Sequence, residues 1–80
     1  MIKIKVIKDQ KINYIFVKAN KYLVDNFEED FNRSNNKNQT LRELYRKHFK
    51  AYLHENKENF FDEIIFEKEK DYTMFLLKFE

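Results

Sequence analysis

The chain contains no glycine and no proline, and that absence narrows its folding options more than any other feature. Average usage is about 7% Gly and 5% Pro. Without glycine, every residue at positive φ must be Asn, Asp or a more strained choice. The same absence excludes glycine-rich phosphate loops, the P-loop and the dinucleotide fingerprint among them. Cysteine is missing too, which excludes disulfides, thiolate metal sites and thiol catalysis.

Eighty residues make one small domain, 1–80. A chain of this size buries only about 60–65% of its unfolded surface. The high aromatic content, 18%, offsets that limit, because each buried Phe or Tyr removes roughly 150–250 Å² from water. A monomer is one solution, and a homodimer that completes its core at the subunit interface is the other. The opening MIKIKVIK contains no apolar run of the length a signal peptide or spanning helix requires. The expected location is therefore cytoplasmic (a host cytoplasm if the source is viral), with no membrane partner. Sixteen basic residues against fourteen acidic ones leave a formal charge of +2, so the distribution of charge says more than its sum. Richness in Lys, Asn, Ile, Phe and Tyr follows AT-rich codons. It points to a low-GC bacterium, its phage or another mobile element, or an archaeal virus.

Ile2-Lys3-Ile4-Lys5-Val6 alternates apolar and basic residues and reads as a half-buried strand. After a polar turn at Lys8 to Lys11, Ile12 to Lys18 reads as a second strand, apolar on both faces and so central. The two make a hairpin. From Asn20 or Lys21 the period turns helical, with Leu23, Val24, Phe27 and Phe31 on one side. Ser34 to Asn38 is a polar loop. Thr40-Leu41-Arg42-Glu43 matches a capping box. The helix it opens carries Leu41, Leu44, Tyr45, His48, Phe49, Tyr52 and Leu53 on one stripe and is expected to run to Asn56 or Asn59. Ile64 to Phe66 and Tyr72 to Phe79 read as two further strands joined by a charged turn. The predicted fold is α+β in the order ββααββ, a four-stranded, mainly antiparallel sheet packed against two helices. Its second apolar face calls for a cover, either a helix or a second copy.

No catalytic, metal or cofactor constellation emerges. His48 and His54, six residues apart on the predicted helix, point about 120° from each other and do not share a metal. His54 and Glu58 have helical i, i+4 spacing, but two ligands do not make a site. Arg42 and His48 resemble the Arg–His spacing of HEPN ribonucleases, an all-helical family. The small sheet-plus-helix ribonuclease toxins of the RelE type would cast Arg46, Lys47 and Tyr45 or Tyr52 as proton carriers. These resemblances carry a ribonuclease toxin of a toxin–antitoxin pair as one alternative function, while the default for the same residues is a solvated basic helix face.

Two charge clusters carry the remaining functional expectations. Asp25, Glu28, Glu29 and Asp30, with Tyr22 beside them, form an acidic patch that suits a basic groove in a host protein or protein–nucleic-acid complex. The helix macrodipole gives the same acids an ordinary stabilising role. Lys3, Lys5, Lys8 and Lys11 on the first hairpin, and Arg42, Arg46, Lys47 and Lys50 on the capped helix, interleave with aromatics. That is the pattern phosphate contact and base stacking need, although edge-strand lysines also block aggregation. The leading expectation is a small non-enzymatic protein-binding module, an inhibitor encoded by a phage or mobile element. In type it is similar to anti-CRISPR proteins, which no motif defines. A DNA- or RNA-binding protein is the alternative from another class.

Overall fold

A computed structural model describes residues 1–7 and 9–80; Lys8, the third member of the expected basic row, lies outside the described residues. The elements run β1 (Ile2–Lys5), α1 (Gln10–Asn26), α2 (Glu28–Asn32), α3 (Lys37–Phe49), β2 (Ala51–Glu55), β3 (Phe61–Phe66) and α4 (Glu69–Phe79). The described residues thus form an α+β fold with four helices and a three-stranded antiparallel sheet, ordered β1-β3-β2. This corrects the expected ββααββ order and its four strands.

Two of the expected strands are helices. Ile12 to Lys18 lies inside α1, where Ile12, Ile15, Ala19 and Leu23 make one buried stripe. Those spacings of three and four belong to a helix. Tyr14 and Val17, which made the segment look apolar on both faces, are exposed. A short contiguous apolar run fits either element, and here the cap decides. Asp9 Oδ1 accepts from the backbone N–H groups of Lys11 (2.9 Å) and Ile12 (3.3 Å), starting a helix where a hairpin turn was expected. Tyr72 to Phe79 is likewise helical. Phe75 and Phe79 are buried, Tyr72 and Leu76 pack beside them, and Met74 and Leu77 are left outside.

Helix α3 starts a turn earlier than the capping box implied. Asn36 is its N-cap, with Oδ1 accepting from the Gln39 N–H at 3.1 Å. Thr40 lies inside the helix, and its hydroxyl bonds Ser34 Oγ and the Asn36 carbonyl instead of the Glu43 N–H. The helix also ends early. Lys50 adopts a left-handed conformation (φ 53°, ψ 39°), with its N–H on the Tyr45 carbonyl. The chain then enters β2, where Ala51 and Leu53 are buried while Tyr52 and His54 are exposed. The glycine-free β2–β3 turn is made by asparagines, as the composition requires. Asn56 Oδ1 accepts from the N–H groups of Glu58 (2.9 Å) and Phe60 (3.0 Å), and Asn59 takes φ 66°.

β3 is the central strand and pairs with β1 and β2 on either side. Inward-facing rows are Ile2–Phe66–Ala51 and Ile4–Ile64–Leu53; outward rows are Lys3–Ile65–Tyr52 and Lys5–Glu63–His54. The inward face joins a core with the helices. The outward face is mixed, with Lys3, Lys5, Tyr52 and His54 exposed. The second apolar sheet face that argued for a dimer is therefore not formed by the described residues, because the segments expected to supply it are helices.

An aromatic cluster holds the layers together. Phe75 lies within 5.2–5.4 Å, ring to ring, of Phe49, Phe66 and Phe79, and Tyr45 edges against Phe49 at 5.1 Å. The buried Tyr45 hydroxyl donates to Asn20 Oδ1 at 2.6 Å, tying α3 to α1. Burial pushes this phenol far above its ordinary pKa, so it acts as a neutral donor. At the outer end of the helices Lys11 Nζ meets Glu80 Oε1 at 2.7 Å.

Three substitutions test this account of the fold. Tyr45→Phe leaves the ring packed and removes one hydrogen bond, for a loss of about 1 kcal/mol. Phe75→Ala opens the centre of the cluster and loses about 3–5 kcal/mol. Urea denaturation of the two variants should separate them by at least twofold. Lys50→Gly removes the left-handed penalty and should raise stability by about 0.5–1 kcal/mol. A thermal melt that shows no increase for this variant would contradict the strain assigned to the α3–β2 corner.

Candidate functional site

Four surface features are built by this fold, and the sequence reading placed residues in three of them. The first is the outer sheet face. Because the side chains of a strand alternate, Lys3, Ile65 and Tyr52 fall in one row across it, and Lys5, Glu63 and His54 in the next. Tyr52 is 40% exposed, and the Arg46 guanidinium lies 5.7 Å from its ring centre. Arg42 and Arg46, four residues apart on α3, line a depression beside Tyr52. Lys50 and Lys68 join Arg46 and Tyr52 in a second one. The expected basic residues Lys3, Lys5, Arg42, Arg46 and Lys50 thus gather around one face, although β1 and α3 are distant in sequence. Lys47 is exposed but lines neither depression. Acids intrude on this face: Lys5 Nζ is 3.3 Å from Glu63 Oε2, and Glu43, Glu67 and Asp71 line the depressions.

The second feature lies at the end of the same face. The ladder pairs His54 with Glu63 and then Glu55 with Phe61, so Asp62 is an extra residue at a β-bulge. A bulge re-aims the side chain it carries. Here the Asp62 carboxylate comes to the exposed His54, with Oδ1 2.7 Å from the imidazole Nδ1. The hydrogen bond from His54 outweighs partial desolvation and holds the Asp62 carboxyl below its ordinary value. His54 is therefore a strand residue whose acidic neighbours are Asp62 and Glu63. This corrects the helical i, i+4 pairing with Glu58. His48 is elsewhere, stacked on Phe27 with ring centres 4.5 Å apart. Arg42 and His48 do not converge either, since Arg42 lines the depression at Tyr52 and His48 the one at Lys70 and Met74.

The acidic patch is the third feature. Asp25, Glu28, Glu29 and Asp30 are all exposed where α1 gives way to α2, and Glu29 sits 3.8 Å from Arg33. Tyr22 is drawn away from them into the aromatic core. Its ring edges against Phe79 at 5.5 Å and is capped by Lys78 Nζ, 4.4 Å from the ring centre.

The fourth feature was missed by sequence reasoning. A groove runs between the β1–α1 corner, the outer side of α1 and the β2–β3 turn. Ile7, Val17 and Phe60 stand in it at 66%, 58% and 63% exposure, over a floor of Val6, Phe16 and Phe61. Its polar rim is all amide: Asn13, Asn20, Asn38 and Asn59. Internal hydrogen bonds hold the rim in place. Asn13 Nδ2 donates to the Val6 carbonyl (3.4 Å), Asn38 Nδ2 to the Asn59 carbonyl (3.2 Å), and Asn20 accepts from Tyr45 (2.6 Å). None of its described lining residues is charged, in a chain where 38% of residues are. No local pattern links positions 7, 17 and 60, so only the folded chain brings them together.

Among the described residues no helix is long and apolar enough to cross a membrane. Comparison with known proteins finds no family model, no curated protein and no solved structure that matches this chain.

Proposed function

We propose that the chain is a non-enzymatic protein-binding module whose working surface is the groove at Ile7, Val17 and Phe60. The observation that carries this reading is that the described lining residues of the groove are apolar or amide and none is charged. Protein interfaces share this anatomy: charged residues are depleted at the centre, large apolar and aromatic side chains anchor it, and a polar rim surrounds it. Three large apolar side chains held this exposed otherwise lose free energy to water without return. The amides of the rim offer donors and acceptors to the backbone of a partner segment whose apolar side chains enter the groove. The pinned amides cut the ordering cost of binding.

The exposed acids Asp25, Glu28, Glu29 and Asp30 lie outside the groove, at the end of α1 and on α2. Charges placed this way steer a basic partner and set its approach more than they add affinity. A basic, nucleic-acid-handling host protein fits that arrangement. The AT-biased composition supports a phage or mobile-element source, and inhibition of a host defence complex is the role we assign.

A specific arrangement favours a second reading. The row Lys3–Ile65–Tyr52, with Arg46 over the Tyr52 ring, places cations beside an exposed aromatic on an open sheet face. Single-stranded nucleic acid is held by that combination of phosphate contact and base stacking.

The two readings separate experimentally. Val17→Asp and Phe60→Asp place charge in the groove at exposed positions, so their circular dichroism and melting should stay close to the parent. In affinity capture from a low-GC bacterial lysate, the parent is expected to retain a stoichiometric protein. The two groove variants should lose it, and a Glu28→Lys/Glu29→Lys variant should slow its association. Absence of such a protein, or equal capture by Val17→Asp, would remove the first reading. For the second, fluorescence anisotropy with labelled single-stranded DNA and RNA at about 50 mM salt should show binding that falls with salt by roughly 0.7 log units per log unit for each phosphate contacted. Arg42→Gln/Arg46→Gln should flatten that slope by about one to two contacts. No binding at that salt concentration removes the second reading.

A further inference from the structure

The bulge on the outer sheet face has a chemistry that neither reading uses. The ligand atoms of His54, Asp62 and Glu63 all lie within 4.8 Å of one another. We propose that these three side chains form a divalent transition-metal site that clips β2 to β3. One imidazole nitrogen and two carboxylate oxygens are a borderline donor set. It favours first-row ions such as Zn²⁺ over Mg²⁺ or Ca²⁺, which prefer all-oxygen shells. Three protein ligands leave a fourth position for water in a tetrahedral zinc site.

The register carries the inference. His54 and Glu63 are direct cross-strand partners, so both side chains project from the outer face. In an unbroken ladder Asp62 would share the inward face with Ile64. The bulge makes it the extra residue, and its carboxylate stands 2.7 Å from the His54 ring instead. Bonds of about 2.0–2.2 Å from one zinc ion bring ligand atoms to separations of this order, so side-chain rotation suffices to close the set. All three groups reach solvent, with His54 exposed and both carboxylates half-buried, which gives an ion a path in.

Two resident interactions would give way. Lys5 Nζ, 3.3 Å from Glu63 Oε2, is the cation that now balances the site, and the bound ion takes over that charge. If Nδ1 becomes the ligand atom it must first give up its N–H, by a shift of the proton to Nε2 in the neutral ring or by release to solvent from the imidazolium, since a metal ligand must offer a lone pair. The clip sits where the strands run into the Asn56–Phe60 turn, and Phe60 is a wall of the groove. A bound ion would therefore stiffen the hairpin that presents Phe60. The site itself does not depend on the groove being an interface.

Titration calorimetry of the full chain with ZnCl₂, together with the visible spectrum of the Co²⁺ form, tests this. The parent is expected to bind one ion, with an intense Co²⁺ spectrum of low coordination number, and to melt higher in Zn²⁺ than in EDTA. His54→Gln, Asp62→Asn and Glu63→Gln should each weaken binding on the order of tenfold or more. Lys5→Met should tighten it by removing the competing cation. His48→Gln and Val17→Asp should bind as the parent does, which separates this site from a stray surface histidine and from the groove. Lack of saturable binding below roughly 1 mM Zn²⁺, unchanged affinity in His54→Gln, or loss of binding in His48→Gln would each overturn the proposal. If a ligand variant fails to fold, Lys5→Met and His48→Gln still decide the question, because both side chains are exposed.

Discussion

The rest of the structure depends on the stacking of Phe75 against Phe49, Phe66 and Phe79. Phe66 belongs to the central strand, Phe49 to α3, and Phe75 and Phe79 to α4, so one set of rings joins the sheet to two helices. Each ring buries roughly 150–250 Å², which a chain of 80 residues needs because so little of its surface can be hidden. Tyr45 extends the cluster to α1 through Asn20, and that hydrogen bond also fixes one corner of the groove. One hydrogen bond, from Tyr45 to Asn20, therefore links the core to the groove rim.

With the helices packed against the inward rows of the sheet, the outward rows stay open to solvent. That one-sided architecture gives the molecule two unlike surfaces. On the outer sheet face, charges of both signs surround Tyr52 and end at the His54–Asp62–Glu63 bulge. The groove lies at the other element junction, where α1 meets the β2–β3 turn, and its described lining residues carry no charge. Phe60 and the bulge belong to the same hairpin, so any event that orders one end of that hairpin bears on the other.

Much of the local grammar could be read directly from the chain. The alternation of Ile2 to Lys5 identified β1, Ile64 to Phe66 identified β3, and Leu41, Leu44, Tyr45 and Phe49 identified the buried stripe of α3. Asparagine as the stand-in for glycine held at Asn59, while the sharper corner fell to Lys50. The two helices misread as strands share one cause. Ile12 to Lys18 and Tyr72 to Phe79 are apolar runs too short and too continuous for period to separate strand from helix. Exposed Tyr14, Val17, Met74 and Leu77 supplied the false second face. Thr40 matched a capping box, yet Asn36 lay a turn ahead with the same capping chemistry and took the position.

What the sequence determined by itself is chemical inventory and local periodicity. It has no glycine to cradle phosphate and no thiol, its turns rely on asparagine, and its basic residues interleave with aromatics. Those properties belong to residue types and near neighbours, so they need no fold to be read. Tertiary structure decided which residues meet. Antiparallel pairing on both sides of β3 set Lys3 beside Ile65 and Tyr52, the bulge turned Asp62 toward His54, and the α1–hairpin junction assembled Ile7, Val17 and Phe60. The physical reason is range. Helical and strand periods act over a few residues, whereas strand register and layer packing are settled by burial across the whole chain, and apart from the acidic patch the candidate surfaces of this protein lie where distant segments meet.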